Sequence, residues 1–200
     1  MKPILIYEGK PSWQIRERLS LLCSDRDEYP TDDSEKFRDV FFPEFSNILE
    51  VIEPPPGSFI QYNCYAHVLG LKGVIFKEVV VAVIEEFKQE PTDSPKTGDI
   101  VIYRNTQMGN KLYTTIEHAG ILSESKKVIS KWGEGALFKH DIFYVPLSYG
   151  NVVEFYKPDI KELASEIIKK RKTMGLEVEE TPKYILRQQL YEVHTKKNQS

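Results

Sequence analysis

Cysteine is scarce in this sequence, and the motifs of several large enzyme classes are absent. Its 200 residues include two cysteines, Cys23 and Cys64, too few for the disulfide framework of a small secreted domain. Neither a GxGxxG nor a GK[ST] sequence occurs, which argues against a nucleotide-binding phosphate loop, and no HExxH sequence occurs either. We therefore expect reduced thiols and predict no cofactor.

Long hydrophobic runs and an excess charge are also lacking. The longest apolar run, VVVAVI from Val79 to Ile84, is much too short to cross a bilayer, and the N-terminus has no signal-peptide core. The 27 basic and 30 acidic side chains give a net charge of -3, so no global field attracts nucleic acid or an anionic membrane. We predict a cytoplasmic protein without nucleic-acid or membrane partners, although delivery by a route that leaves no signal peptide would also fit.

What is present is enough apolar material for one sizeable core, since 40% of the residues are hydrophobic and 12% aromatic. The run Pro54 to Pro56 with Gly57 marks a boundary after an N-terminal mixed segment, residues 1–57. Residues 58–157 are expected to form the core, and residues 158–200 a C-terminal helical extension. The core carries four predicted strands in an antiparallel meander: DIVIYR, TIEHAGILS, KKVISKWG and NVVEFYK.

Helices are predicted outside this strand-rich part. In the N-terminal segment, ILIY is a short strand and WQIRERLSLL a helix with Ser12 as its N-cap. The C-terminal extension has two segments with helical spacing, DIKELASEIIKKRKTMG and TPKYILRQQLYEVHTKK, with Asp159 and Thr181 as N-cap candidates. The predicted class is therefore α+β.

The stretch FIQYNCYAHVLGLKG raises the question of why a cysteine opens a short helix. If Asn63 or Cys64 begins the helix, the thiol lies where unpaired backbone N–H groups and the helix dipole stabilise negative charge. The thiolate is the nucleophilic form of cysteine. Cys23, at the end of a predicted helix, has none of this context, and we expect it to be structural.

Four histidines could serve as a base for this thiol. His118, at the start of a strand followed by two small residues, ranks first, and His67, one turn along from Cys64, ranks second. His140 is predicted to be a surface or cleft-rim residue in the loop FKHD, and His194 a solvated residue near the C-terminus.

The order of YNCYAHVLG, TGDIVIY, EHAGIL and VISKWG resembles that of the NlpC-like papain-fold cysteine peptidases and amidases, from about Ser58 to Tyr156. The resemblance implies a papain-like core in which a nucleophile helix packs on an antiparallel sheet. It also implies Cys64 as the nucleophile, His118 as the base and Ser130 as the residue that orients the imidazole. Lys131 adjoins Ser130, His140 is the fallback for that position, and Asp99 would be structural.

An oxyanion hole and a substrate cleft are also expected. The backbone N–H of Cys64 is the first oxyanion donor, and the second would come from the side chain of Gln61 or Tyr62. The segment KWGEGALFKHDIFYVPLSYG is either a cleft wall or a packed connection with tight turns. In the first interpretation, the cleft candidates are Trp132, His140 and Tyr149.

The expected activity is thiol-dependent hydrolysis or transfer at an amide bond, with a peptide or peptidoglycan-like amide as the substrate. An alternative is a catalytically inactive papain-like module that binds a peptide or protein, because Asn63-Cys64-Tyr65-Ala66 departs from the Asp-Cys-Ser-Gly that family members usually show. A weaker alternative is a zinc site drawn from Cys64, His67, His118 and His140. The sequence leaves the oligomeric state open.

Overall fold

The structure is a computed structural model that describes residues 4–5, 11–22, 44–54, 62–106, 114–133 and 135–179. Four of the residues singled out above lie outside these ranges: Cys23, Gln61, Thr181 and His194. The predicted second C-terminal helix therefore stays a prediction.

One antiparallel sheet organises the described residues. Its seven strands lie in the order β1-β7-β3-β4-β5-β6-β2, and every neighbouring pair is antiparallel. The strands are β1 Ile4–Leu5, β2 Leu49–Glu53, β3 Ile100–Thr106, β4 Thr114–Leu122, β5 Val128–Lys131, β6 Leu137–His140 and β7 Val152–Tyr156. With the helices described below, this confirms the α+β class.

The strand predictions and the observed strands agree in the middle of the sheet and differ at one side. The four predicted core strands correspond to β3, β4, β5 and β7, and the predicted N-terminal strand contains β1. The prediction of a loop around His140 is wrong, because His140 is the last residue of strand β6. Strand β6 lies between β5 and β2 and pairs with both of them through backbone hydrogen bonds.

The N-terminal segment supplies both outer strands of the sheet. Strand β1 pairs with β7 at one edge, and β2 pairs with β6 at the other. Pro54 directly follows β2, where a residue without an N–H group ends the ladder. The N-terminal segment thus shares one sheet with the predicted core.

Four α-helices accompany the sheet within the described ranges: α1 Pro11–Leu19, α2 Cys64–Leu69, α3 Lys77–Glu86 and α4 Ile160–Thr173. The prediction of Ser12 as an N-cap is wrong, because α1 begins at Pro11, a residue whose fixed φ and missing N–H suit the first helical position. Asp159 is the N-cap of α4, but its side chain makes no capping hydrogen bond.

The two faces of the sheet carry separate hydrophobic clusters. The first cluster lies against α2, α3 and α4, and includes most of the apolar run Val79 to Ile84, which forms helix α3. The second cluster lies on the opposite face and includes Tyr103, Trp132, Phe138 and Phe155. Of the helices that the structure describes, none is long and apolar enough to span a membrane.

Arg16 attaches α1 to the second face. Its guanidinium is buried and donates hydrogen bonds to the carbonyl oxygens of Val145, at 2.9 Å, of Pro146, at 3.2 Å, and of Gly150. Burial lowers the pKa of Arg16 to about 10, so the side chain stays charged at neutral pH. Its three acceptors all come from the connection between β6 and β7.

Gly150 is a point at which the fold tolerates no side chain. Its φ of 103° and ψ of 176° are accessible essentially to glycine alone, and a Cβ there would overlap the backbone carbonyl of Arg104. We expect Gly150→Ala to lower the free energy of unfolding by about 3 kcal/mol or more. The matched control is Gly70→Ala, where φ is 67° with no atom near a Cβ, and about 1 kcal/mol is expected. Urea unfolding monitored by circular dichroism compares the two, and equal losses would contradict the overlap.

Candidate active site

Helix α2 begins at Cys64 because Asn63 caps it. Asn63 has an extended backbone, with φ of -107°, and its Oδ1 accepts hydrogen bonds from the backbone N–H groups of Ala66, at 3.0 Å, and Ile75, at 3.2 Å. Its Nδ2 donates to the carbonyl oxygen of Ile75 at 2.8 Å. The predicted helix start is confirmed, and Cys64 occupies its first position with 7% of its surface exposed.

Helix α2 lies across β4 and β5. Cys64 belongs to the same hydrophobic cluster as Ile116 and Ala119 of β4. The hydroxyl of Tyr65, the next residue, lies 3.5 Å from the carbonyl oxygen of Ile116. The nucleophile candidate therefore lies on the face of β4 to which Ala119 points.

The ring of His118 lies on the other face of β4. His118 is directly opposite Tyr103 in the β3–β4 register, the two ring centroids are 5.5 Å apart, and Tyr103 belongs to the second cluster. The imidazole stacks on Tyr149 at a centroid distance of 3.8 Å and an interplanar angle of 12°. Because neighbouring side chains of a strand point to opposite faces, the His118 ring lies on the face of β4 away from α2, and no hydrogen bond joins the Cys64 thiol to either ring nitrogen.

His118 is nevertheless an unusual buried histidine. It is completely buried, and neither ring nitrogen has a hydrogen-bond partner in the described part of the chain. Burial lowers the pKa of His118 well below its ordinary value, and His140 and His67 add to the effect. The imidazole is therefore neutral at physiological pH, the state a general base requires. A buried polar group without a partner costs free energy, so its retention calls for an explanation.

Ser130 contacts His140 and Trp132 instead of His118. Its Oγ lies 2.8 Å from Nε2 of His140 and accepts a hydrogen bond from Nε1 of Trp132 at 3.0 Å. Nδ1 of His140 lies 2.8 Å from the carbonyl oxygen of Asp141. Because a carbonyl can only accept, Nδ1 carries the proton, and the Ser130 hydroxyl donates to Nε2. Ser130, Trp132 and His140 thus form a satisfied buried network.

The aromatic candidates for the cleft lie in the core. Trp132 and His140 are completely buried, and Tyr149 is 7% exposed. Trp132 packs against Phe138 at 4.7 Å and lies edge-on to Tyr149 at 6.0 Å. The prediction of His140 as a surface or cleft-rim residue is wrong, since both of its nitrogens are engaged inside the second cluster. The segment after β5 is a packed connection.

On the α2 face, Tyr62 is surrounded by three polar side chains, those of Glu53, Lys131 and His67. The Tyr62 hydroxyl donates a hydrogen bond to the Glu53 carboxylate, and its pKa is raised, first by burial and then by Glu53. The Nζ of Lys131 lies 4.5 Å from the centroid of the Tyr62 ring, and the His67 ring stacks on Tyr62 at 6.0 Å. Tyr62, proposed above as an oxyanion donor, is therefore engaged by Glu53.

A pocket of about 560 Å³ opens next to this group. It is lined by Tyr62, Ala66, His67, Gly70, Leu71 and Lys72. Burial lowers the pKa of His67, with the charges of Lys161 and Lys131 adding to the effect, while Glu53 opposes it. Nε2 of His67 is buried and has no hydrogen-bond partner among the described residues. The pocket thus combines apolar walls with a neutral imidazole and nearby lysines.

The four residues considered for zinc are not assembled into a site. Within the described ranges, no three His, Cys, Asp or Glu side chains lie close enough together to hold a metal ion. His140 is bonded to Ser130 and to the main chain in the second cluster, whereas Cys64 and His67 belong to α2 on the first face.

Comparison with known proteins assigns a family. The model of a family described as "Domain of unknown function (DUF7689)" matches residues 57–157, just over half of the 200 residues. The chain belongs to this family. The matched DUF7689 region runs from before Cys64 to just past β7 and contains Cys64, His118, Ser130 and Lys131. No curated protein and no solved structure matches the chain.

The hydrogen bonds of Ser130 to His140 and Trp132 should stabilise the folded protein. Ser130→Ala removes the acceptor of Trp132 Nε1 and the donor to His140 Nε2, and leaves both groups buried and unpaired. We expect a loss of about 2–4 kcal/mol in the free energy of unfolding. The control is Ser165→Ala on the exposed side of α4, for which a change within about 0.5 kcal/mol is expected. Urea denaturation measures both, and a small loss at Ser130 would mean that solvent reaches the network.

Burial of neutral His140 also makes stability depend on pH. Burial lowers its pKa from 6.5 to about 4 in the folded protein. The unfolded chain binds this proton as the pH falls through 6.5, whereas the folded chain does so only near 4. The contribution of neutral His140 to the free energy of unfolding is therefore complete above pH 6.5. It is lost as the pH falls towards 4, by about 3 kcal/mol over the whole window.

The measurement is the free energy of unfolding at about pH 7 and about pH 5 for the wild type and His140→Gln, which has no titrating group at this position. We expect the wild type to lose more stability than the variant as the pH falls. His118 and the carboxylates are present in both proteins, so the difference isolates His140. Parallel losses would contradict a neutral buried His140.

Proposed function

We propose that this DUF7689 protein is a thiol-dependent hydrolase or transferase that acts on an amide bond, with a papain-like core, Cys64 as the nucleophile and His118 as the base. The observation that carries the proposal is the position of Cys64 as the first residue of a helix capped by Asn63. At that position, backbone N–H groups and the helix dipole favour the thiolate.

The reaction follows from these groups. A ring nitrogen of neutral His118 takes the proton from the Cys64 thiol, the sulfur bonds to the amide carbon, and the carbonyl electron pair moves onto the oxygen. The proposal assigns the backbone N–H of Cys64 as a donor to that oxyanion. The imidazolium then protonates the leaving amine as the C–N bond breaks, and water or another amine releases the acyl group.

The proposal requires His118 to reach the α2 face. The β3–β4 register is irregular next to this residue, because Tyr103 pairs with His118 but Arg104 pairs with Ile116, which leaves Glu117 as an extra residue. A strand side chain changes face when the pairing slips by one residue, and a bulge is where such a slip is accommodated. Movement of this bulge past His118 would turn the imidazole towards Cys64. The orphaned ring nitrogens favour such a second arrangement, since the stacked one leaves them unpaired.

The test is the pH dependence of Cys64 alkylation by iodoacetamide, with the labelled residue located by mass spectrometry. We expect rapid labelling with a midpoint below about pH 8, lost in His118→Phe, which keeps a ring to stack on Tyr149 but has no nitrogen. His67→Phe is the matched control and separates the two candidate bases. A midpoint near the ordinary cysteine pKa of about 8.5, unchanged in His118→Phe, would contradict the dyad.

A second candidate function is a papain-like module that binds a peptide or protein without catalysis. The observation in its favour is the stacked position of His118 on the face away from α2, together with the engagement of Ser130 by His140. A module of this kind tolerates Cys64→Ser without loss of its function, whereas a thiol enzyme does not. The alkylation test also separates the two candidates, because only the enzyme requires a labelling midpoint below about pH 8 that depends on His118.

A further inference from the structure

Lys131 is a buried cation on the same face of the sheet as Cys64. It is the last residue of β5, where Ser130 points into the second cluster, and its own side chain therefore points to the α2 face. Only 2% of its surface is exposed. Lysines are almost never buried to this extent without a partner, because removing an ammonium from water is costly.

The ammonium of Lys131 has incomplete compensation inside the protein. It forms no hydrogen bond and no ion pair with any residue that the structure describes, and its near contact is the face of the Tyr62 ring, 4.5 Å away. Burial lowers the pKa of Lys131 and the charge of Glu53 opposes this effect, but the Glu53 carboxylate also accepts a hydrogen bond from the Tyr62 hydroxyl. A cation–π contact uses none of the N–H donors of the ammonium, which are therefore left for solvent or a ligand.

The surroundings of Lys131 connect it to both Cys64 and the pocket. Tyr62, which the ammonium covers, lies two residues before Cys64 and also lines the pocket beside α2. Lys72 lines the same pocket, and Lys161 and Lys131 both act on His67. Among the described residues, three lysines and one carboxylate, Glu53, therefore act on this region, and an anionic group would find complementary charge there.

We propose that Lys131 forms an anion subsite next to Cys64 that binds a carboxylate in the acyl part of the substrate. This inference rests on the proposed function and names its substrate class: an amide whose acyl portion carries a negative charge close to the scissile bond. The carboxylate takes up the unused donors of the ammonium, and the adjacent apolar pocket accommodates the rest of that portion. The buried position of the lysine makes the interaction stronger than at the surface, since the local dielectric is lower.

The test compares two alkylating reagents of nearly equal size, iodoacetate, which carries a carboxylate, and iodoacetamide, which is neutral. The quantity measured is the ratio of their rate constants at Cys64 in the full chain, relative to the same ratio at Cys64 in the urea-unfolded chain. We expect the folded protein to favour iodoacetate by about three- to tenfold over the unfolded reference. Lys131→Met should abolish this preference, and Lys131→Arg should restore part of it.

Lys139→Met is the matched control, since Lys139 lies on β6 in an ion pair with Glu50 and should leave the ratio unchanged. A wild-type ratio equal to that of the unfolded chain would overturn the subsite, and this comparison needs no variant to fold. A ratio that persists in Lys131→Met would overturn the role of Lys131. Failure of the dyad appears separately, as slow labelling by iodoacetamide itself with the preference for iodoacetate intact.

Discussion

The position of Cys64 depends on the side chain of Asn63. One amide satisfies the backbone N–H of Ala66 inside α2 and both backbone groups of Ile75, which belongs to the segment leading into α3. The same interaction therefore starts the helix at Cys64 and connects it to the segment that leads into the next helix. An aspartate at this position would keep the two acceptor bonds but could not donate to Ile75. The bond donated to Ile75 therefore requires an amide at this position.

Strand β5 carries two buried polar side chains, Ser130 and Lys131, which point to opposite faces of the sheet. Ser130 points to the second cluster, where Trp132 and His140 complete its hydrogen bonds, and burial lowers the pKa of His140 so that the ring stays neutral. Lys131 points to the α2 face, where a ring and a shared carboxylate compensate its charge only in part. A satisfied network gives rigidity, whereas an incompletely compensated charge is suited to a ligand.

Sequence periodicity predicted the parts of the fold that depend on local patterns. Runs of β-branched residues predicted β3, β4 and β7, which contribute side chains to the clusters on both faces of the sheet. Helical spacing predicted α4, which buries Ile160, Ala164 and Ile167 on one face. Strand β6 was missed since its four residues, Leu137 to His140, include a lysine and a histidine and lie in a glycine-rich segment. Its strand pairing depends on β2, which is distant in sequence. The face to which His118 points depends on the irregular register at Glu117, and no sequence signal for that irregularity was available.

The division of the sheet between chain segments has a consequence for the family-matched region. Residues 57–157 contain the five inner strands, but the two strands that cover the edges, β1 and β2, precede that region. A fragment restricted to the matched residues would present the unpaired backbone of β7 on one side and of β6 on the other. Open edges of this kind invite pairing with other chains. Strands β1 and β2 therefore cover the two edges that the family-matched strands alone would leave open.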